Sequence, residues 1–448
     1  MDFNLPNNKI ILTKKPEVIF SKGLRKIKPF YDVRKCTLKG RFFNKTLLQI
    51  LTDEFRLKNQ EEHASDIKNG KYKIYKHLKK AELEEVLAAN PNYSNEISAY
   101  QDIVSYFFKQ NDYYTVSQHK HEPYSLQWSK DEKTDFGNNI ICGMDILENN
   151  DEYIVVDKPA GLIVHPSASY YENSLTNVLF HGTGQKFYST YRLDKVTSGV
   201  LALGKTSAGA KKFHENILNK NCFKYYLAKV RGQFPGEPMG MDIFTELSNE
   251  KEIQGPDQED FPFKTKIIET SPIYQIDTKI LFPKAFSDPK TAESHFQLVS
   301  YNKESNESLV LCRPITGRQH QLRIHLLRLG YPIPGDFFYD PENTFYPKKI
   351  DFIAKNNDYR EKYANIGMLE PLFEDFRKEF LDLVMAEPEN GAEYCSECGA
   401  QEYSDPPIDE MRIYLHSFRY RIVETEENKK DLCFQTNLPT WAAQFRVV

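Results

Sequence analysis

The feature that most constrains the fold is how helical and strand-like segments are mixed between residues 145 and 425. Runs with strand character, such as 222–234 and 294–316, stand among runs with helical spacing, such as 207–221 and 318–330. They do not follow the regular strand–helix–strand rhythm of a doubly wound parallel sheet. This irregular mixture predicts the α+β class.

Composition divides the chain into four segments. Residues 1–16 are predicted to be disordered. Residues 17–143 form a basic N-terminal extension, interrupted at 57–110 by a polar segment rich in Lys, Glu and Asn that we interpret as a helical insertion. A main domain over 144–425 follows, and then a tail over 426–448. A chain of 448 residues is long enough for two or three such parts.

Charge is strongly segregated along the chain, although the net charge is only −4. Residues 9–48 carry twelve Lys or Arg against two acids, and residues 183–232 carry ten against two. Residues 370–410 carry thirteen acids against two bases. Such a distribution can build a basic face on an acidic protein, as nucleic-acid binding requires, but it is also typical of solvated helices and loops.

The expected location is intracellular. Seven scattered cysteines are typical of reduced thiols rather than of a disulfide framework. No run of about eighteen apolar residues occurs, so we expect no membrane contact. The first fifteen residues have neither an apolar signal core nor an Arg- and Ser-rich amphipathic pattern. We therefore expect a cytoplasmic or nuclear protein rather than a mitochondrial one.

The strongest chemical signal is the string YRLDKVTSGV, Tyr191 to Val200. It places the carboxylate of Asp194 beside Arg192 on a loop between two apolar strands, where Gly199 permits a tight turn. An isolated Arg-x-Asp is most often a surface ion pair. The surrounding motifs favour a catalytic interpretation instead.

Five segments resemble, in the same order, the motifs of the RluA-type pseudouridine synthases. DEYIVVDKPAGLIVHPS (151–167) resembles the opening KPxGxxVHP motif, and the string at 191–200 resembles the signature HRLDxxTSG. KYYLAKVRG (224–232) resembles KxYxAxVxG, and RPITGRQHQLRIHLLRLGYPIPGDFFY (313–339) resembles the final catalytic motif. IYLHSFRYRI (413–422) resembles the closing LHAxxL strand. The resemblance spans about residues 145–425 and implies a catalytic domain built on a mixed, mostly antiparallel sheet flanked by helices and loops.

The resemblance implies that Asp194 is the essential carboxylate and that Tyr226 is the active-site tyrosine. It assigns Arg323 to the arginine that pairs with the aspartate, and Arg192 to the residue that enters the space left by a flipped base. These roles suit the chemistry, because enzymes that act on a base usually flip it into a pocket. A neighbouring positive charge also keeps an aspartate ionised. The residues leave open whether Asp194 attacks C1′, adds to the base or deprotonates C2′.

Further residues are expected to bind substrate or RNA. Within the motifs these are Thr197, Arg318 and His320. In the N-terminal extension we expect phosphate contacts from a basic cluster, which consists of Lys22, Arg25, Lys26 and Lys28. Backbone contacts of that kind add salt-dependent affinity without base identity.

The N-terminal stretch FSKGLRKIKPFYDVRKC and the segments HKHEP and CSEC…YSDPP resemble the eukaryotic, fungal-like branch that acts on the tRNA anticodon stem-loop. This implies modification near position 31 or 32, by a monomer that needs no cofactor and no nucleotide. Two alternatives stay open: an RNA-binding protein or tRNA chaperone with weak activity, and a synthase directed at rRNA. Tyr191 and Ser294, which stand where the family usually has His and Thr, keep the first alternative open.

No metal is expected at the catalytic site, because His320 and His325 are five residues apart and so do not share one helix face. Cys395 and Cys398 form a CxxC pair. A zinc site needs about four ligands, and no second pair follows. Cys433 and His416 are possible partners at non-standard spacing, so zinc binding by this pair stays an open question. The chain has no H-x-E sequence, which disfavours a zinc deaminase.

Overall fold

The computed structural model describes residues 16–54, 58–219, 221–245, 263, 265–363, 365–384, 393–423 and 431–445, and the backbone of 3–4 and 10–12. The chain forms two compact units. The first unit comprises Met1–Ile19, Ile27–Glu122 and Glu393–Glu402, and the second comprises Phe20–Lys26, Pro123–Ala392 and Tyr403–Val448. Among the described residues, no helix has the length and apolar character needed to span a bilayer.

Strands and helices are numbered in chain order. The strands are β1 (Phe3–Asn4), β2 (Ile10–Leu12), β3 (Val18–Ser21), β4 (Leu24–Ile27), β5 (Phe30–Thr37), β6 (Tyr72–Tyr75), β7 (Glu96–Ile97), β8 (Tyr113–Lys120), β9 (Ser125–Leu126), β10 (Ile140–Ile141), β11 (Met144–Asn149), β12 (Tyr153–Lys158), β13 (Tyr188–Ser189), β14 (Ser198–Gly204), β15 (Cys222–Arg231), β16 (Ile267–Glu269), β17 (Ser294–Asn302), β18 (Glu307–Pro314), β19 (Leu415–Ile422) and β20 (Leu432–Gln435). The α-helices are α1 (Leu47–Glu54), α2 (Gln60–Lys68), α3 (Lys80–Ala89), α4 (Tyr100–Ser105), α5 (Leu175–Thr183), α6 (Ser207–Leu218), α7 (Gln321–Arg328), α8 (Pro347–Lys355), α9 (Tyr359–Lys362) and α10 (Glu370–Val384).

The first unit is built on an antiparallel sheet with the strand order β1-β2-β5-β8-β6-β7. Helices α1, α2 and α4 contact one another and share a core with the sheet. The segment 57–110 is not purely helical, because it also supplies β6 and β7. Tyr72 and Ile74 alternate with exposed Lys73, and both bury their side chains in that core.

The second unit is built on a long sheet with the order β10-β11-β12-β14-β19-β15-β18-β17-β16. Its strand pairs in the described part of the chain are antiparallel except β14 with β19. Helices α5, α6 and α7 supply buried side chains beside it. The predicted α+β class with a mixed, mostly antiparallel sheet is therefore confirmed.

Glycine is required where β14 runs parallel to β19. Gly199 has φ +111°, and a Cβ there would lie 2.1 Å from the backbone oxygen of Ser417. The strands approach too closely at this point for any side chain. The loop that carries Asp194 leads directly into β14, which is next to β19 in the strand order.

Candidate active site

Asp194 lies on the loop between β13 and β14, with its side chain 29% exposed. The amide of Thr197 donates to the Asp194 carbonyl over 3.2 Å, which closes a turn around the carboxylate. Leu193 is buried beside it and anchors the loop in the core. The carboxylate is thus held by its own loop yet stays open to a ligand.

Arg323 on α7 is the principal partner of this carboxylate, as expected. Its Nη1 donates to Asp194 Oδ2 over 2.9 Å. Its Nε and Nη2 each donate over 2.6 Å to the carboxylate of Asp336, and both of these side chains are buried. Paired hydrogen bonds of this kind fix the plane of a guanidinium. Asp336 was not singled out from the sequence, although the GD pair that follows α7 contains it.

His320 also faces Asp194. Its Nε2 lies 3.8 Å from Asp194 Oδ1, and its Nδ1 lies 2.8 Å from the hydroxyl of Tyr339. His320 and Arg323 are three residues apart, so a helix through both would place them on one face. Instead His320 precedes α7 with φ +55°, and this left-handed conformation turns its ring toward the loop.

Electrostatics favour an ionised Asp194. Burial raises the pKa of this carboxyl group, but the charges of His320 and Arg323 and the hydrogen bond from Arg323 outweigh it, so the pKa lies below its usual value. Burial also lowers the pKa of His320 to about 4. His320 is therefore neutral near pH 7, where Arg323 supplies the positive charge.

Lys158 is a positioning residue that the sequence analysis missed. It ends β12, is fully buried, and donates from Nζ to the carbonyls of Pro159, Leu162 and Lys195 at 2.7, 2.8 and 3.4 Å. It therefore links the Pro159–Leu162 turn to the loop of Asp194. Burial lowers the pKa of Lys158 to about 7, although the charge of Asp194 favours the ammonium form. A lysine at the end of an apolar strand, separated by Asp157 from the run Tyr153–Val156, was the available signal.

Tyr226 lies on β15, where 9% of it is exposed. Its hydroxyl is 2.8 Å from that of Tyr420, whose ring stacks on Tyr191 at 5.2 Å between centroids. Burial raises the pKa of Tyr226 to about 12, and the nearby charge of Asp194 acts in the same direction. Tyr191 fits this packing, because its hydroxyl donates to the Val200 carbonyl over 3.1 Å.

The other predicted motif residues are placed differently from one another. Arg192 is exposed and makes no ion pair within the described part of the chain. Thr197 is buried, and its Oγ1 finds no hydrogen-bond partner among the described residues. Arg318 is exposed and donates to the Thr291 carbonyl over 2.9 Å. The Ser294 hydroxyl accepts a hydrogen bond of 2.8 Å from the side-chain amide of Gln321, the first residue of α7. The serine therefore contacts the start of this helix.

The four basic residues near the N-terminus have acidic partners. Lys22 and Lys26 pair with Asp405, and Lys28 pairs with Glu17. Arg25 is buried, bound to Glu132 and Asn173. Its guanidinium is thus occupied by the protein itself, whereas the side chains of Lys22 and Lys28 are 79% and 51% exposed.

Comparisons with known proteins agree on one family. The family model for RNA pseudouridylate synthase matches residues 152–328. The tRNA pseudouridine(31) synthase of Saccharomyces cerevisiae is 32% identical over 95% of this chain and 97% of its own length. The mitochondrial tRNA pseudouridine(32) synthase of the same yeast is 28% identical over 95% of this chain and 78% of its own. The mouse pseudouridylate synthase RPUSD2 is 28% identical over 72% of this chain and 46% of its own length. The chain therefore belongs to the RNA pseudouridylate synthase family.

Proposed function

We propose that this enzyme isomerises a uridine of the tRNA anticodon stem-loop, at position 31 or 32, with Asp194 as the essential carboxylate. The observation that carries the proposal is the arrangement of Asp194, Arg323 and Asp336. A partly exposed carboxylate is held ionised by a buried arginine, which a second, buried carboxylate holds in place. The reaction replaces a C–N glycosidic bond by a C–C bond, and an oriented carboxylate can act in it without a cofactor.

The surroundings of Asp194 suit a flipped base. Arg192 is exposed two residues before the carboxylate, where its guanidinium can enter the space that the base vacates. Tyr226 lies on β15, near enough to Asp194 for the charge of that carboxylate to raise its pKa, and it carries an aromatic ring. His320, neutral at pH 7, can exchange hydrogen bonds with the base or sugar. Thr197, three residues after Asp194, and the exposed Arg318, two residues before His320, complete the proposed set.

The choice of tRNA rests on the two yeast relatives, whose names specify positions 31 and 32 of tRNA. Both are similar to this chain over 95% of its length, which includes the N-terminal unit. A relative from Buchnera aphidicola named for the large ribosomal subunit matches only 49% of this chain. Similarity over the whole chain therefore favours tRNA.

The test is a pseudouridine assay on unmodified tRNA and rRNA transcripts with purified protein, and each new site is mapped by carbodiimide-blocked primer extension. We expect Asp194→Asn to abolish modification and to leave tRNA binding within about twofold, because it removes one charge from a preformed site. Asp151→Asn, an exposed carboxylate in the same unit, is the matched control.

The outcomes separate the alternatives. Asp194-dependent product at position 31 or 32 supports the proposal. Product confined to rRNA would overturn the choice of substrate, and substantial turnover by Asp194→Asn would overturn the assignment of the carboxylate. Tight tRNA binding without product on any transcript would favour an RNA-binding protein that retains the fold.

A further inference from the structure

Four potential metal ligands converge in the first unit. His119 and His121 come from the end of β8, and Cys395 and Cys398 come from the short segment 393–402. One nitrogen or sulfur atom of each lies within 4.8 Å of the others. The two pairs are more than 270 residues apart in sequence, so the fold itself brings them together.

We propose that these four side chains bind a structural zinc ion. The sequence left the partners of the CxxC pair open and suggested Cys433 and His416. In the structure His416 lies between Ser198 and Thr436, at 2.8 and 2.6 Å, and Cys433 accepts a hydrogen bond from Arg419. His119 and His121, from the HKHEP segment, are the partners of the CxxC pair instead of Cys433 and His416.

The distances fit a tetrahedral ion. His119 Nδ1 lies 3.5 Å from Cys395 Sγ, and His121 Nε2 lies 3.3 Å from Cys398 Sγ. Zinc binds sulfur at about 2.3 Å and imidazole nitrogen at about 2.0–2.1 Å, so a tetrahedral angle places the two donor atoms about 3.6 Å apart. An ion at the centre of the cluster would therefore need little movement of its ligands.

The backbone on both sides suits the site. His119 and His121 are two residues apart, and alternate residues of an extended chain point to the same side. On the other side, the Glu397 amide donates to Cys395 Sγ over 3.4 Å, so the backbone orients this sulfur. The Gly399 amide donates to the Cys395 carbonyl over 2.9 Å, and Gly399 has φ +69°, so the chain turns sharply around the pair.

A carboxylate supports one of the imidazoles. Glu397 Oε2 lies 3.9 Å from His119 Nε2, on the side of the ring opposite the nitrogen that faces Cys395. The same carboxylate oxygen accepts a hydrogen bond of 2.9 Å from the Tyr31 hydroxyl, and the Tyr31 ring lies 4.7 Å from the His119 ring. Metal-bound histidines usually have such a partner on the second ring nitrogen, which orients the ring.

The donor atoms indicate which metal ion binds here and whether that ion is structural or catalytic. Two sulfurs and two imidazole nitrogens in a tetrahedral arrangement select Zn²⁺ over the oxygen-preferring Mg²⁺ or Ca²⁺. Four protein ligands leave no open position for substrate, so the ion is structural and not catalytic. It fastens segment 393–402 to β8.

The first experiment needs no variant. Purified full-length protein is analysed for metal by mass spectrometry, and its zinc environment is measured by X-ray absorption at the zinc edge. We expect one zinc per chain, with two sulfur and two nitrogen neighbours. Absence of zinc, both as purified and after addition of Zn²⁺ under reducing conditions, would overturn the proposal. So would a coordination shell without two sulfurs.

Variants then locate the ion. Cys395→Ser with Cys398→Ser should lower the zinc content at least fivefold, and His121→Asn should weaken retention against a chelator at least tenfold. Cys433→Ser, which alters an exposed cysteine outside the cluster, should keep one zinc per chain. Full zinc in the double cysteine variant would overturn the proposal. If that variant does not fold, the absorption spectrum of the wild-type protein still decides.

Discussion

Arg323 serves two carboxylates that differ in burial. The Asp336 side chain is 1% exposed and takes two of its hydrogen bonds, whereas Asp194 is 29% exposed and takes one. The fully buried pair fixes the guanidinium, and the remaining nitrogen is then aimed at the loop of Asp194. A residue that sequence motifs mark as catalytic is therefore also an integral part of the core.

Replacement of Arg323 should cost both stability and activity. In Arg323→Met the carboxylate of Asp336 stays buried without its partner, which should lower the free energy of unfolding by about 3–5 kcal/mol. The double variant Arg323→Met with Asp336→Leu should recover much of that loss in urea denaturation, yet remain inactive in the tRNA assay. Recovery of activity in the double variant would show that Arg323 matters only for folding.

The pH response of Asp194 depends on the same arginine. Because the fold lowers the pKa of this carboxyl group, its ionised form contributes stability above the unfolded pKa of about 3.9 and loses it as pH falls through the lower folded value. A ¹³C titration of the carboxyl groups, assigned with Asp194→Asn, should place Asp194 below ordinary aspartates. In Arg323→Gln the signal should titrate at higher pH. An unchanged titration would mean that Arg323 is not the source of the shift.

At the scale of elements, the loop of Asp194 is held to the end of β12 by a buried lysine. Lys158 donates to carbonyls on both turns, and the Gly161 amide adds a hydrogen bond of 2.8 Å to the Lys195 carbonyl. The loop therefore has a defined position without being part of a strand.

Lys158→Met should disturb this arrangement while the sheet stays intact. Methionine matches the length of the side chain but leaves buried carbonyls without a donor, which costs about 1–3 kcal/mol. A shift of the carboxylate by about 1 Å can lower kcat on the order of 10²-fold. Single-turnover rates and thermal unfolding would be compared with Lys212→Met, which alters a partly exposed lysine on α6. A wild-type rate in Lys158→Met would contradict the proposal that Lys158 positions the loop of Asp194.

The parallel contact between β14 and β19 makes a second prediction at this scale. Gly199→Ala combines a positive φ with a collision against the Ser417 backbone and should destabilise the protein by about 3 kcal/mol or more. Gly184→Ala has φ +73° but no atom within 4 Å of the added Cβ, so strain alone should cost about 1–2 kcal/mol. Equal urea midpoints for the two variants would contradict the close approach.

Elements with strong periodicity were predictable from sequence. Helices α6 and α7 and strands β15, β17, β18 and β19 lie where their patterns indicated, because each buries one clear face or run. Strands β6 and β7 were missed because they have only four and two residues, too few for a reliable period. Lys158 and Asp336 were missed because their partners are distant in sequence, and a motif names residues without naming their contacts.

For the whole molecule, segregated charge is partly neutralised by the fold. Asp405, from the acidic stretch 370–410, forms ion pairs with Lys22 and Lys26. The basic segment predicted to bind phosphates thus retains fewer free cations than its composition suggests. Because such pairing is a tertiary property, a count of charges could not reveal it.

The remaining exposed lysines give a test of RNA contact. We propose that Lys22 and Lys28 bind phosphates. The double variant Lys22→Gln with Lys28→Gln should then weaken tRNA binding. It should also reduce the slope of log K against log salt by about 1.4–1.8, because two phosphate contacts are lost. Lys80→Gln, at an equally exposed position, should leave the slope unchanged. A wild-type slope in the double variant would exclude both residues from the RNA interface.

The discontinuity of the first unit has a consequence during synthesis. Its segment 393–402 leaves the ribosome about 270 residues after β8, which corresponds to roughly 14–54 s at ordinary elongation rates. Until then His119 and His121 lack Cys395 and Cys398, while Pro123–Ala392 of the second unit has already been translated. The first unit is therefore begun before residues 123–392 of the second unit are made, and it is completed only after them.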